Sequence, residues 1–225
     1  MFSESIDQIK KSGVKCWFTS DLHFGHKNVI EFCKRPTTVE EQTDWIITQI
    51  NSVVGEDDIV YHLGDFTFAG TSKIEEYTDI LNRLNGTWRF ILGNHDNIKL
   101  LTEICNKADK KHVVVGHYTE LKYNKSKFVL CHFPFKSWNC SSNGSYNIHG
   151  HCHGELTKRH FSNKYVNDIA KVFGLHKRKQ PVNQIDVGID SVEGWIPIEI
   201  DQVVEFLAKS NPKRKVVNHH SRKAD

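Results

Sequence analysis

The chain has 225 residues, of which 38% are hydrophobic and 25% charged, with a formal net charge of +3. That length allows a sizeable buried core, and the balance excludes a disordered polyelectrolyte and, with no run of about 18 apolar residues, a membrane span. The opening residues carry no basic patch followed by an apolar stretch, so no secretory signal is expected; the cytoplasm is the expected location, and the six scattered cysteines read as reduced thiols.

Taken in chain order, short apolar runs alternate with amphipathic stretches. Residues 14–18 read as a buried strand that ends at Thr19-Ser20-Asp21. Helical spacing of Val39, Ile46, Ile50 and Val53 predicts a helix over 38–54. A strand over 58–63 closes at Gly64-Asp65, and a helix over 72–84 opens with Ser72 three residues before Glu75, the spacing of a capping box. A third strand, 88–92, closes at Gly93-Asn94-His95-Asp96. Further runs lie at 112–115, 128–131, 146–148, 184–187 and 196–200, and a last helix over 201–209 is predicted with Asp201 as its cap. The pattern predicts an α/β sandwich with mixed β-sheets flanked by helices: one domain over 1–210, then a basic, flexible tail over 211–225.

Fourteen histidines stand against a single methionine, and many of them fall where strands end. The polar clusters are Asp21-x-His23, Gly64-Asp65, Gly93-Asn94-His95-Asp96, His132 and Gly150-His151-x-His153. An Asp-x-His pair or a Gly-Asp turn alone carries little information. In open α/β sheets, however, ligands bind at the carboxyl ends of strands, so clusters placed there converge on one site.

Complete and in order, the set resembles the signature of the calcineurin-like metallophosphoesterases, D-x-H, G-D, G-N-H-D, H, G-H-x-H, and covers about two thirds of the chain. The resemblance implies a metal-dependent phosphohydrolase of phosphate mono- or diesters, with attack by a hydroxide bridging two ions. It implies Asp21, His23 and His153 at a first metal, Asn94, His132 and His151 at a second, and Asp65 between them. Such imidazole, carboxylate and amide ligands suit two divalent transition-metal ions: manganese first, with iron, zinc, cobalt or nickel as alternatives. His95 then protonates the leaving oxygen, while Asp96 either orients its imidazole or caps the helix that follows.

Several residues stay open between two roles. His26 and Lys27 either contact the substrate phosphate or begin a solvated helix. His62 faces the core or backs the site, His149 is a packing residue or supports the site, and Cys152 points away from the ligands beside it. Residues 140–145 read as a loop at the site's edge. Residues 158–179 carry seven Lys/Arg against Asp168 alone, and the tail adds Lys213, Arg214, Lys215, Arg222 and Lys223. These are solvated surface or an electrostatic guide for phosphate-rich substrates, nucleotides or nucleic acid. A nuclease or nucleic-acid end-processing enzyme is therefore the alternative, and an inactive binding scaffold a further one.

Overall fold

Residues 16–19, 59–63 and 87–91 are mostly apolar and largely buried, the mark of strands covered on both faces. In the computed structural model, which describes residues 5–68, 73–154 and 183–210, they form β1 (Cys16–Thr19), β2 (Ile59–Leu63) and β3 (Thr87–Ile91). These three pair in parallel, Phe18 beside Tyr61 and Tyr61 beside Arg89. Parallel β4 (Val113–Gly116) and antiparallel β9 (Ile198–Glu199) complete a five-stranded sheet of order β4-β3-β2-β1-β9. A second sheet, β5-β6-β7-β8, is built from Tyr118–Tyr123, Ser126–Cys131, Tyr146–His149 and Gln184–Asp186; its first pair is antiparallel and the others parallel.

The helices are α1 (Ile6–Lys11), α2 (Val29–Cys33), α3 (Gln42–Asn51), α4 (Ile74–Arg83), α5 (Ile98–Lys107) and α6 (Ile200–Ser210). Side-chain alternation along the central strands divides the interior in two. Trp17, Val60, Trp88 and Phe90 meet Ile46, Ile50, Tyr77, Leu81, Leu101 and Ile104 of α3, α4 and α5. On the opposite face, Cys16, Phe18, Tyr61, Leu63 and Ile91 meet Leu121, Phe128, Leu130 and Ile148 of the second sheet, with Ile6 of α1 and Val203 and Leu207 of α6 closing the edges. The expected α/β sandwich is thus present, and no described helix is long and apolar enough to cross a membrane.

Some boundaries differ. The helix expected over 38–54 begins at Gln42: the Thr38 hydroxyl accepts the Glu41 N–H at 3.3 Å, and Val39 is solvent-exposed rather than on the apolar face. Ser72 lies outside the described residues. Ile200 opens α6, so Asp201 is inside its first turn and not its cap; Glu199 Oε2 accepts the Asp201 N–H at 2.7 Å instead. The Asp201 carboxylate binds Lys10 and the Tyr123 hydroxyl.

One carboxylate fastens β1 to β2. Asp58 accepts the Trp17 indole N–H at 2.8 Å and the backbone N–H groups of Lys15 and Gly55, each at 2.9 Å. Asp58→Ala is expected to cost about 2–3 kcal/mol, since it orphans a buried indole donor along with two amides. Burial works against ionisation of this carboxyl, but the Gly55, Trp17 and Lys15 donors hold it below the usual carboxylate range. Its stabilisation is therefore present above the unfolded pKa of about 4 and lost as pH falls through the folded value. Urea unfolding of Asp58→Asn across pH 3–6 should show a flatter acid limb than wild type.

Candidate metal centre

Each central strand delivers its polar cluster at its carboxyl end, and the second sheet adds two more. The loop after β1 carries Asp21 and His23; that after β2, Asp65; that after β3, Asn94 and His95. His132 follows β6, and His151 and His153 follow β7. The glycines of the motifs let these loops touch. A Cβ on Gly93 would lie 2.5 Å from the Asp65 backbone nitrogen, and one on Gly150 would lie 1.9 Å from Ser20 Oγ.

Ligand atoms of Asp21, His23 and His153 lie within 4.8 Å of one another, and so do those of Asp65, His132 and His151. Asp65 Oδ2 stands between the groups, 3.7 Å from His23 Nε2 and 3.3 Å from His132 Nε2. Asn94 Oδ1 is 3.1 Å from the same His132 nitrogen. All seven residues expected to hold metal are therefore gathered at one edge of the molecule.

Whether these donors suit a cation can be read from their hydrogen bonding. His132 Nδ1 faces the Leu63 carbonyl at 2.8 Å, so its proton belongs there. In the neutral ring that leaves an Nε2 lone pair facing a carboxylate oxygen and an amide oxygen, three acceptors that a cation would draw together. His153 repeats the arrangement: Nδ1 faces Asp190 Oδ2 at 2.6 Å, and Nε2 faces Asp21 Oδ1 at 3.8 Å. Converging acceptors call for positive charge, and the donor set fits divalent transition metals.

Burial and mutual charge perturb the same groups strongly. Burial pushes the Asp21 carboxyl up to about 7, despite the nearby His153 and His132. Burial drives His23 down to about 3, against the pull of Asp65. For Asp65, burial is outweighed by the hydrogen bond and charge of His132, which hold its carboxyl well below the usual range. Burial opposes charge on His153 too, yet Asp190, Cys33 and Asp21 push it up to about 11.

The backbone adds a second signature. Five of the seven candidate ligand residues have left-handed φ: Asp21 (59°), His23 (53°), Asp65 (61°), His151 (70°) and His153 (45°). They are half of the ten non-glycine residues in that region among those described. Each costs about 1–3 kcal/mol, the kind of strain that collects at functional sites.

His95 lies exposed at the mouth, its N–H donating to Asp65 Oδ1 at 2.9 Å and its ring 5.3 Å from that of His23. Asp96 takes neither of its two expected places. Its carboxylate accepts the N–H groups of Asp65 (2.7 Å), Phe66 (2.9 Å), Thr67 (3.3 Å) and Gly93 (2.9 Å), so it joins two ligand loops and not the His95 ring. The cap of α5 is Asn97, whose side chain accepts from Lys99 and Leu100.

His26 borders the site. Its Nδ1 accepts the Val29 N–H at 3.1 Å, and its ring packs on Phe68 at 3.7 Å and lies 6.3 Å from that of His95. Lys27 is exposed beside it. His62 sits in the core among Phe66, Trp88 and Phe90, and His149 is buried with Nδ1 on the Gly150 carbonyl. Residues 158–179 and the tail lie outside the described residues.

Three residues not anticipated complete the surroundings. Asp190 and Arg35 form a buried pair beside His153, and Cys33 Sγ approaches the same His153 nitrogen at 3.2 Å. Cys33, His153 and Asp190 are close enough to form a third donor group, but Arg35 already occupies both oxygens of Asp190. A signal for Asp190 did exist: Gly188-x-Asp190 follows a strand, as Gly64-Asp65 does.

A family model described as calcineurin-like phosphoesterase matches residues 14–223. An uncharacterized protein of Methanocaldococcus jannaschii is 32% identical over 203 residues, spanning 90% of this chain and 96% of that protein. The Gene 66 protein of Mycobacterium phage L5 is 28% identical over 197 residues, spanning 78% of this chain and 86% of its own length. Among solved structures, a protein of unknown function from Aquifex aeolicus superposes with a TM-score of 0.60 at 22% identity, over 86% of this chain and 99% of that one, a likeness of fold.

Proposed function

This chain belongs to the calcineurin-like phosphoesterase family, whose members are metal-dependent phosphoester hydrolases, and on that premise we propose that it is a binuclear enzyme for phosphate mono- or diesters. The observation that carries the two-ion reading is the position of Asp65 Oδ2, shared between His23 on one side and His132 with Asn94 on the other. Asp21, His23 and His153 would hold the first ion, Asn94, His132 and His151 the second, and Asp65 would serve both. Bound there, divalent cations supply an activated water and neutralise charge on the phosphoryl oxygens. Manganese is the first choice, followed by iron, zinc, cobalt and nickel.

The chain's own groups do the rest. The Leu63 carbonyl and Asp190 hold the proton of each neutral imidazole on Nδ1, which leaves Nε2 of His132 and His153 turned toward the ions. Asp65, through its second oxygen, fixes the backbone of His95 at the mouth. From there a His95 ring N–H delivers its proton to the leaving oxygen. His26 and Lys27, on the adjoining rim, contact the substrate phosphate.

The test is protein stripped with chelator and reloaded with each ion in turn. It is assayed on aryl phosphate mono- and diesters, cyclic nucleotides, dinucleotides and short oligonucleotides. Stripping should abolish turnover and Mn²⁺ should restore it. Loaded protein that cleaves none of these esters would point to the inactive scaffold. Salt-sensitive cleavage confined to oligonucleotides would favour the nuclease reading that the basic residues of 158–179 raise.

A further inference from the structure

Arg35 is a buried guanidinium, with its side chain fully inaccessible and every contact directed at the surroundings of one half of the site. It follows Lys34, whose left-handed conformation (φ 55°) ends α2 and turns the chain inward. Its Nε and Nη2 grip Asp190 through both carboxylate oxygens, at 2.8 and 2.9 Å. Its Nη1 donates to the Leu22 carbonyl at 2.9 Å and its Nη2 to the Asp21 carbonyl at 2.6 Å. Asp190 in turn meets His153 Nδ1 at 2.6 Å.

One side chain therefore spans the peptide units between Asp21 and His23 and, through Asp190, reaches His153. Those three residues are the terminal ligands of the first ion. None of Asn94, His132 and His151 touches Arg35 or Asp190; His132 is set by the Leu63 carbonyl and the His151 N–H by Asp21.

We propose that Arg35 and Asp190 are positioning residues chiefly for the first ion, holding the left-handed Asp21–His23 turn and the His153 ring in one geometry. This rests on the two-ion reading above. The planar fork of arginine suits the task because it bonds a carboxylate in two places and still reaches two carbonyls, which a lysine ammonium does not do. Partners of this kind typically raise metal affinity 10–100-fold.

The experiment is a Co²⁺ titration of full-length wild type, Asp190→Asn, Arg35→Lys and Cys33→Ala. It follows d–d absorption and ions bound per chain, with thermal melting in chelator to establish folding. Wild type should bind two ions. In Asp190→Asn and Arg35→Lys one ion should bind about 10–100-fold more weakly with an altered spectrum, while the other keeps its affinity. Asp190→Asn preserves shape, so it carries the test should Arg35→Lys melt too low. Equal weakening of both ions in folded Asp190→Asn, or wild-type affinity for both, overturns the proposal. A loss in Cys33→Ala with none in Asp190→Asn does the same, since the thiol touches the same nitrogen. The two readings fail separately. A wild type that binds one ion refutes the binuclear reading, and the affinity of that ion in the variants still decides the role of Arg35.

Discussion

Asp65→Ala is expected to lose both metal ions and to lower turnover at least about 10³-fold, the equivalent of several kcal/mol of transition-state stabilisation. The size of the effect follows from how many tasks one carboxylate has. Its Oδ2 lies between the two ligand groups, and its Oδ1 holds the His95 backbone at 2.9 Å. Asp65→Asn separates the tasks. The amide oxygen still accepts the His95 N–H, so the loop after β3 keeps its path, but the negative charge is gone. We expect Asp65→Asn to fold like wild type and still fail to retain two ions after dialysis. Metal analysis checks this directly, and an Asp65→Ala protein holding two ions at wild-type affinity would remove the central premise of the site.

His95→Ala is expected to behave in the opposite way, keeping both ions while turnover falls about 10²–10⁴-fold. The loss should depend on the leaving group. Nitrophenolate departs without help, so its esters should be affected least, and esters of alkyl alcohols or ribose should be affected most. The reason is positional: the ring of His95 is exposed at the mouth, next to His23, and only its backbone N–H is engaged with a ligand residue. Metal content and a leaving-group series measured on one preparation distinguish a proton donor from a ligand. Loss of metal in His95→Ala would make it a ligand.

The ligand loops were legible in the sequence because the chemistry restricts them to few residue types, and because the strands that precede them are mostly apolar. Their convergence follows from parallel strands presenting the same end. The conformation of Asp96 was not legible. Both Asp96 and Asn97 are competent helix caps, and which one turns inward depends on where the backbone donors of the loop after β2 arrive. Strand β5 escaped notice for a different reason. Thr119, Leu121 and Tyr123 alternate as a strand face should, but only one of them is aliphatic. Helix α1 is six residues long, too short for periodicity to register. Arg35 and Asp190 lie 155 positions apart, and no local pattern pairs a lone arginine with a distant aspartate.

The left-handed backbone at Asp21, His23, Asp65, His151 and His153 bears on how such a site persists. Each of these side chains opposes the conformation it occupies, and glycine would accept the same φ without penalty. In a population of this protein under no demand for its reaction, replacing any of these residues by glycine would remove the side chain and relieve the backbone together. Drift would then erode the constellation quickly, because stability and disuse would push the same way.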